Sequence, residues 1–83
     1  MGFQAKRDYM DVCGEILRIC LSPTMKSRIM QRANLGHRMF TRYLNYLSGT
    51  GLLEEVGGLY RTTEKGLRFL SRLTSLESLL IEA

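Results

Sequence analysis

The sequence predicts a mainly helical domain with one small β-hairpin. Three observations carry this. The chain is 83 residues long with a single proline, so long stretches lack helix breakers. Apolar residues recur at three- and four-residue steps through most of it. Only between residues 52 and 62 does the period turn to alternation, around Gly57-Gly58. The length suits one domain spanning 1–83. A chain this short buries a modest core, and oligomerisation would add to it. An apolar content of 45% and a charged content of 24% are ordinary for a soluble globular protein and argue against disorder.

The first helix is expected over Gln4 to Leu21. Tyr9, Val12, Cys13, Ile16, Leu17 and Cys20 form one apolar stripe. Gly14 interrupts it at a cost of roughly 1 kcal/mol against alanine, which suggests a close packing approach there. Ser22-Pro23-Thr24 separates this helix from the next. Either Ser22 caps with Pro23 in the first turn, or Thr24 caps. The second helix follows over Thr24 to Ala33, with Met25, Ile29, Met30 and Ala33 inward. Asn34 tolerates the left-handed backbone that ends a helix, and Leu35 is the apolar residue a tight turn tucks between helices. The third helix spans Gly36 to Ser48, with Phe40, Tyr43, Leu44 and Leu47 inward, and Gly49-Thr50-Gly51 stops it.

The runs on either side of Gly57-Gly58 read as two strands joined by a tight turn whose two central residues need positive φ. Thr63 then caps a last helix that reaches about residue 82, with Glu64 in its first turn. Helix, helix, short turn, helix, hairpin, helix is the order of a winged helix-turn-helix. The helix-turn-helix is 24–48, the wing 52–62 and the final helix 63–82.

Charge is unevenly spread. The net charge is +4. Between Ile16 and Leu53 there is no Asp or Glu, while Arg18, Lys26, Arg28, Arg32, Arg38 and Arg42 all fall there. Residues 54–83 are balanced. A block of one sign attracts a polyanion. On the third helix Arg38, Thr41, Arg42 and Asn45 follow three- and four-residue steps and share one face. All four side chains can read base edges, and arginine's planar fork suits phosphate or guanine. The helix at about 36–48 is therefore the expected recognition helix in the major groove of duplex DNA. Arg38 and Arg42 come first, then His37, Thr41 and Asn45, with Met39 as a thymine-methyl contact. Thr24, Lys26, Ser27, Arg28 and Arg32 on the second helix are expected to position phosphates, helped by the free N–H groups of its first turn. Arg61 either touches a phosphate or pairs across the hairpin with Glu54. Tyr43, Tyr46 and Tyr60 read as core or rim residues. The alternative function is a winged helix that binds protein without DNA. Its face would normally carry acids or apolar patches. A double-stranded RNA reader fits less well, because a helix cannot enter the narrow major groove of RNA.

Other chemistry finds little support. Cys13 and Cys20, two turns apart on one helix face, are too far apart for a disulfide and read as buried thiols in a reducing, cytoplasmic setting. With one histidine in the chain, no metal or cofactor is expected. No paired carboxylates, activated nucleophile or phosphate loop suggests an enzyme. No signal peptide or spanning segment is recognised.

Three stretches carry a family likeness: Arg28-Ile29-Met30-Gln31-Arg32-Ala33-Asn34-Leu35; Tyr43-Leu44-Asn45-Tyr46-Leu47 with Gly51-Leu52-Leu53; and residues 60–70, Tyr60-Arg61-Thr62-Thr63-Glu64-Lys65-Gly66-Leu67-Arg68-Phe69-Leu70. Together they resemble the small archaeal winged-helix DNA-binding proteins over nearly the whole chain. The resemblance implies a transcriptional regulator or chromatin-associated DNA binder, and, in some members, dimerisation through a long C-terminal helix. The chain departs from the pattern at Gly36, where a serine cap is common, at Met39, where a polar residue is commoner, and at the two-glycine wing tip, which carries no base. In the last helix, Leu67 and Leu70 are expected to pack on the first helix. Phe69, Leu73, Leu76 and Leu80 follow 4-3-4 spacing, which reads as a coiled-coil seam between two copies.

Overall fold

The structure, a computed structural model, describes residues 8–82. Its elements run α1 (Tyr9–Ile19), β1 (Thr24–Met25), α2 (Lys26–Ala33), α3 (His37–Gly49), β2 (Leu53–Val56), β3 (Leu59–Thr62) and α4 (Glu64–Glu82). Four helices and one small antiparallel sheet make the winged helix-turn-helix that the sequence predicts. None of the described helices is long and apolar enough to cross a membrane.

Asp8 sets the start of α1. Its carboxylate accepts from the Asp11 N–H at 2.8 Å, and the Asp11 carboxylate accepts from the Asp8 N–H at 3.4 Å. This reciprocal cap satisfies two orphan donors. The expected start at Gln4 lies outside the described residues, and the helix closes at Ile19, with Cys20 as cap, rather than at Leu21. Val12, Cys13, Ile16, Leu17 and Cys20 are buried as the stripe requires, whereas Tyr9, its first member, is 49% exposed at the helix start.

Neither expected cap opens α2. Thr24 and Met25 instead form a two-residue strand against β3, with Thr24 opposite Tyr60 and Met25 opposite Leu59. The Thr24 hydroxyl donates to the carbonyls of Ser22 (2.7 Å) and Ile19 (3.2 Å), which closes the α1–β1 turn. The N-cap of α2 is Met25, which offers no side-chain acceptor. The sheet therefore has three strands in the order β1-β3-β2.

The turn from α2 to α3 follows its sequence chemistry. Asn34 is left-handed at φ 56°, ψ 49°. Its N–H donates to the Gln31 carbonyl, and that of Leu35 to Met30. These two bonds are a Schellman motif, closed by Leu35 packing on the core. At the wing, Gly57 and Gly58 have φ of 60° and 82°, as a primed two-residue turn demands. The register sets Glu54 opposite Arg61.

The core lies among α1, α2, α3, the start of α4 and the sheet, with Ile16, Leu17, Ile29, Phe40 and Leu47 fully enclosed. Each such side chain contributes roughly 1.5–3 kcal/mol of burial. Thr62 ties β3 to α1, its hydroxyl donating to the Leu17 carbonyl at 2.7 Å and its N–H to Cys20 at 2.9 Å. Thr63 caps α4 by accepting from the Gly66 N–H at 3.1 Å.

The inward stripe of α4 differs from the expected one. Gly66, Leu70 and Leu73 are buried, Phe69 packs against the core, and Glu77 pairs with Arg18 of α1 at 3.2 Å. Leu67, expected inward, is 48% exposed, since it sits about 100° round the helix from Gly66. Phe69 and Leu73, read as seam residues, belong to the domain's own packing. Leu76 and Leu80 continue the same stripe beyond it and are 58% and 77% exposed.

Candidate nucleic-acid interface

The inward residues Phe40, Tyr43, Leu44 and Leu47 fix the orientation of α3. Opposite them, Arg38, Arg42 and Asn45 point outward and are exposed. No ion pair involves either arginine among the described residues, so both guanidinium forks are free to meet an anion. Thr41 lies on one flank of this face, half-buried, and donates its hydroxyl to the His37 carbonyl at 2.9 Å. Its oxygen lone pairs remain available to a donor. Met39 is 43% exposed on the other flank.

The remaining residues sort into two surfaces on either side of α2. Lys26, Ser27 and His37 line an open cleft of about 420 Å³, with Met25, Met30 and the wing-tip Gly58. The cleft thus gathers the first turns of α2 and α3 and the wing. Neither helix has a side-chain cap there, since Met25 and Gly36 occupy the N-cap positions. Arg28 and Arg32 lie on the opposite flank, in a groove of about 370 Å³ beside Pro23 and Leu59. The structure therefore separates these two arginines from the face of α3. Thr24 leaves the surface altogether: it is buried, and its hydroxyl is spent on two backbone carbonyls.

On the wing, Arg61 pairs with Glu54. Its Nη2 and Nε donate to one carboxylate oxygen at 2.6 and 3.1 Å. Of its two readings, the cross-strand pair is the geometry present. Both side chains are near half exposed (51% and 42%), so the pair contributes little to stability, about 0–1 kcal/mol.

Of the two places expected for it, core or rim, Tyr46 takes the rim at 47% exposure, and it stands one turn beyond Arg42. Two features were not read from the sequence. Tyr9 comes alongside Tyr46 from α1, with ring centroids 5.3 Å apart in a T-shaped contact, and lies 4.8 Å from the buried Tyr43. The Tyr9 phenol is pushed above its ordinary pKa, chiefly by desolvation against its neighbours, while the Arg42 charge pulls it down. Lys65, Arg68 and Arg72 line a shallow groove beside Leu52 and Phe69. Within it Lys65 donates to the Thr50 carbonyl at 2.7 Å and Arg68 approaches Glu64 at 3.5 Å. Those cations sit where acids and bases alternate in sequence, so a block count passes over them.

Cys13 and Cys20 are buried free thiols, each pushed up to about 11 by desolvation. Among the described residues no cluster of His, Cys, Asp and Glu could hold a metal ion.

Comparison with known proteins agrees with this architecture. Over residues 6–80 the chain matches the model of a family described as winged helix-turn-helix. An uncharacterized protein of Methanocaldococcus jannaschii is 35% identical over 72 residues, covering 86% of this chain and 74% of its own. A second uncharacterized protein of that organism is 32% identical over 69 residues, and there the match spans only 33% of the longer relative. Among solved structures, Sso10a-2, a DNA-binding protein from Sulfolobus solfataricus, superposes with a TM-score of 0.78 at 22% identity, covering 92% of this chain and 84% of its own. At that identity the likeness concerns the fold. By the extent of the family match and the identity to its archaeal relatives, the chain belongs to the winged helix-turn-helix family.

Proposed function

We propose that this chain binds double-stranded DNA, with α3 as the recognition helix in the major groove. The observation that carries this reading is the outward face of α3. Arg38, Arg42 and Asn45 stand together on it, exposed and without an acidic neighbour on the helix. Arginine and asparagine are the side chains suited to guanine and adenine edges. The cleft beneath Lys26, Ser27 and His37 is where a phosphate strand flanking the groove would run, since backbone N–H groups, the two helix dipoles and the lysine all favour an anion there. The fold shared with a DNA-binding protein supports the same conclusion. A transcriptional or chromatin role follows from such binding. A protein-only module is disfavoured by the acid-free face, since protein interfaces seldom present an unrelieved set of cations.

The exposed Leu76, Leu79 and Leu80 at the far end of α4 lead us to propose that two copies pair there. A dimer would present two recognition helices to repeated or symmetric half-sites.

The deciding experiment is duplex binding across salt with an Arg38→Ala/Arg42→Ala variant. Wild type is expected to lose roughly a hundredfold in affinity between 50 and 200 mM salt, as neutralising about four phosphates requires. The double variant is expected to lose detectable binding at moderate salt while its melting temperature holds. A salt-independent affinity, or normal binding by the variant, would overturn the reading.

A further inference from the structure

Beyond Arg42 the recognition helix is bordered by a ledge of uncharged side chains, which ends at the capping carboxylates Asp8 and Asp11 of α1. Met39 and Tyr46 come from α3, and Tyr9 from the start of α1. All three are between 43% and 49% exposed. Large apolar side chains grouped at that exposure mark a contact surface more often than a solvated one. Tyrosine, methionine and arginine are also the residues enriched at interfaces.

The ledge is built, not incidental. The edge of Tyr46 meets Tyr9 at 5.3 Å, and Tyr9 lies tilted over the buried Tyr43 at 4.8 Å. Three rings from two helices therefore hold one another in place. Aromatic side chains have only two rotatable bonds, so little entropy is left to lose when they bind. The phenol hydroxyls of Tyr9 and Tyr46 have no hydrogen-bond partner among the described residues. Tyr46 follows Arg42 by four positions, so its hydroxyl lies along the same helix edge.

We propose that Tyr9 and Tyr46 are DNA-positioning residues, their hydroxyls donating to backbone phosphate oxygens of the duplex that Arg38 and Arg42 enter. This rests on the DNA-binding reading above. Continuity with the arginine face favours duplex DNA over a protein as the occupant, and tyrosine hydroxyls are among the ordinary donors to phosphate. Such a contact has a distinctive signature. A neutral donor releases no counterion, so it adds affinity without adding to the salt slope, whereas each Lys or Arg contact adds about one unit.

The test uses the full chain and a random-sequence duplex, followed by fluorescence anisotropy across salt. Tyr9→Phe/Tyr46→Phe keeps all three rings and removes only the two hydroxyls. Its melting temperature is expected to match wild type, and its Kd to rise about tenfold at every salt concentration, with the slope unchanged. Tyr43→Phe, which removes the hydroxyl of the buried third ring, is expected to bind as wild type does. An unchanged Kd in the double variant overturns the proposal, as a ledge that docks protein instead would give. So does an equal loss in Tyr43→Phe, which would point to ring packing, or a slope reduced by about one, which would point to a displaced arginine. If wild type binds and Arg38→Ala/Arg42→Ala does not, an unaffected tyrosine variant sinks this proposal alone. If wild type binds no duplex, both fall.

Discussion

Gly66 of α4 lies flush against the backbone carbonyl of Leu52. A Cβ at position 66 would overlap that oxygen and come within 2.5 Å of Thr62 Cγ2. The corner where β2 enters, β3 leaves and α4 begins is closed at this point, with the Thr63 N–H donating to the same Leu52 carbonyl at 3.0 Å. Backbone oxygen cannot turn aside as a side chain can. Gly66→Ala is therefore expected to lower stability by about 1–2 kcal/mol, even though alanine is the better helix former by roughly 1 kcal/mol. Thermal unfolding followed by circular dichroism checks it, and an unchanged or higher melting temperature would show that the corner opens.

Gly14 provides the contrast. A Cβ there would fall 2.5 Å from Leu73 Cδ2, the tip of a side chain that has other rotamers. Gly14→Ala gains helix propensity and loses some packing, so its stability should stay within about 1 kcal/mol of wild type. Gly14→Val adds two methyl groups against the same leucine and should cost clearly more. Equal melting temperatures for the two variants would mean that α1 and α4 are less tightly packed than the geometry indicates.

Local chemistry was the legible part of this chain. Asn34, Thr63 and the Gly57-Gly58 pair each need only their neighbours to dictate a conformation, and each takes the expected one. Long-range events were not legible. β1 exists only because Thr24 and Met25 meet β3. In sequence, Pro23-Thr24 reads as a helix start. Periodicity likewise shows that α4 has an apolar stripe but not what covers each part of it. Phe69 and Leu73 were assigned to a partner, whereas α1 and the core take them. In the candidate interface, three- and four-residue spacing grouped Arg38, Thr41, Arg42 and Asn45, of which Arg38, Arg42 and Asn45 are exposed and Thr41 is half-buried. It could not place Arg28 and Arg32 on the far flank of α2, or bring Tyr9 to Tyr46.

The wing pair sets a limit on what the hairpin contributes to DNA. Because Arg61 is held by Glu54, moving it to a phosphate would break one charge-assisted contact to make another. Arg61→Ala should change duplex affinity by less than about threefold and leave the salt slope near its wild-type value. A slope lower by a full unit would place Arg61 on the DNA.

The two buried thiols make the fold sensitive to alkali. Each titrates near 11 when folded, against about 9 for a free thiol. The folded pKa is the raised one, so the folded state binds its protons more tightly. That stability is fully present below pH 9 and is lost as pH rises toward 11. The melting temperature should fall over this window, and neither thiol should react with an alkylating reagent at neutral pH. Cys13→Ala/Cys20→Ala is expected to melt lower at pH 7 because of the space it leaves, yet to show a flatter alkaline decline. What decline persists belongs to Tyr9 and Tyr60, whose phenols also titrate above their ordinary value. An equally steep decline without the cysteines would remove the thiols from the account.

Pairing through α4 makes the last prediction. Leu76, Leu79 and Leu80 lie beyond the reach of the domain's own core, at 58%, 63% and 77% exposure. Three leucines within two turns of a helix are costly to leave in water, about 1.5–3 kcal/mol each when fully buried. Leu76 and Leu80 continue the stripe that Phe69 and Leu73 begin, so a second α4 laid along this end would extend an existing core. Sedimentation equilibrium is expected to give a dimer for wild type and a folded monomer for Leu76→Lys/Leu80→Lys, because two like charges facing their copies across a seam are repelled. Half-site spacing supplies an independent readout. The monomeric variant should lose the preference for paired sites but keep its affinity for a single one. A wild type that remains monomeric at high micromolar concentration would refute the pairing while leaving the single-site interface on α3 untouched.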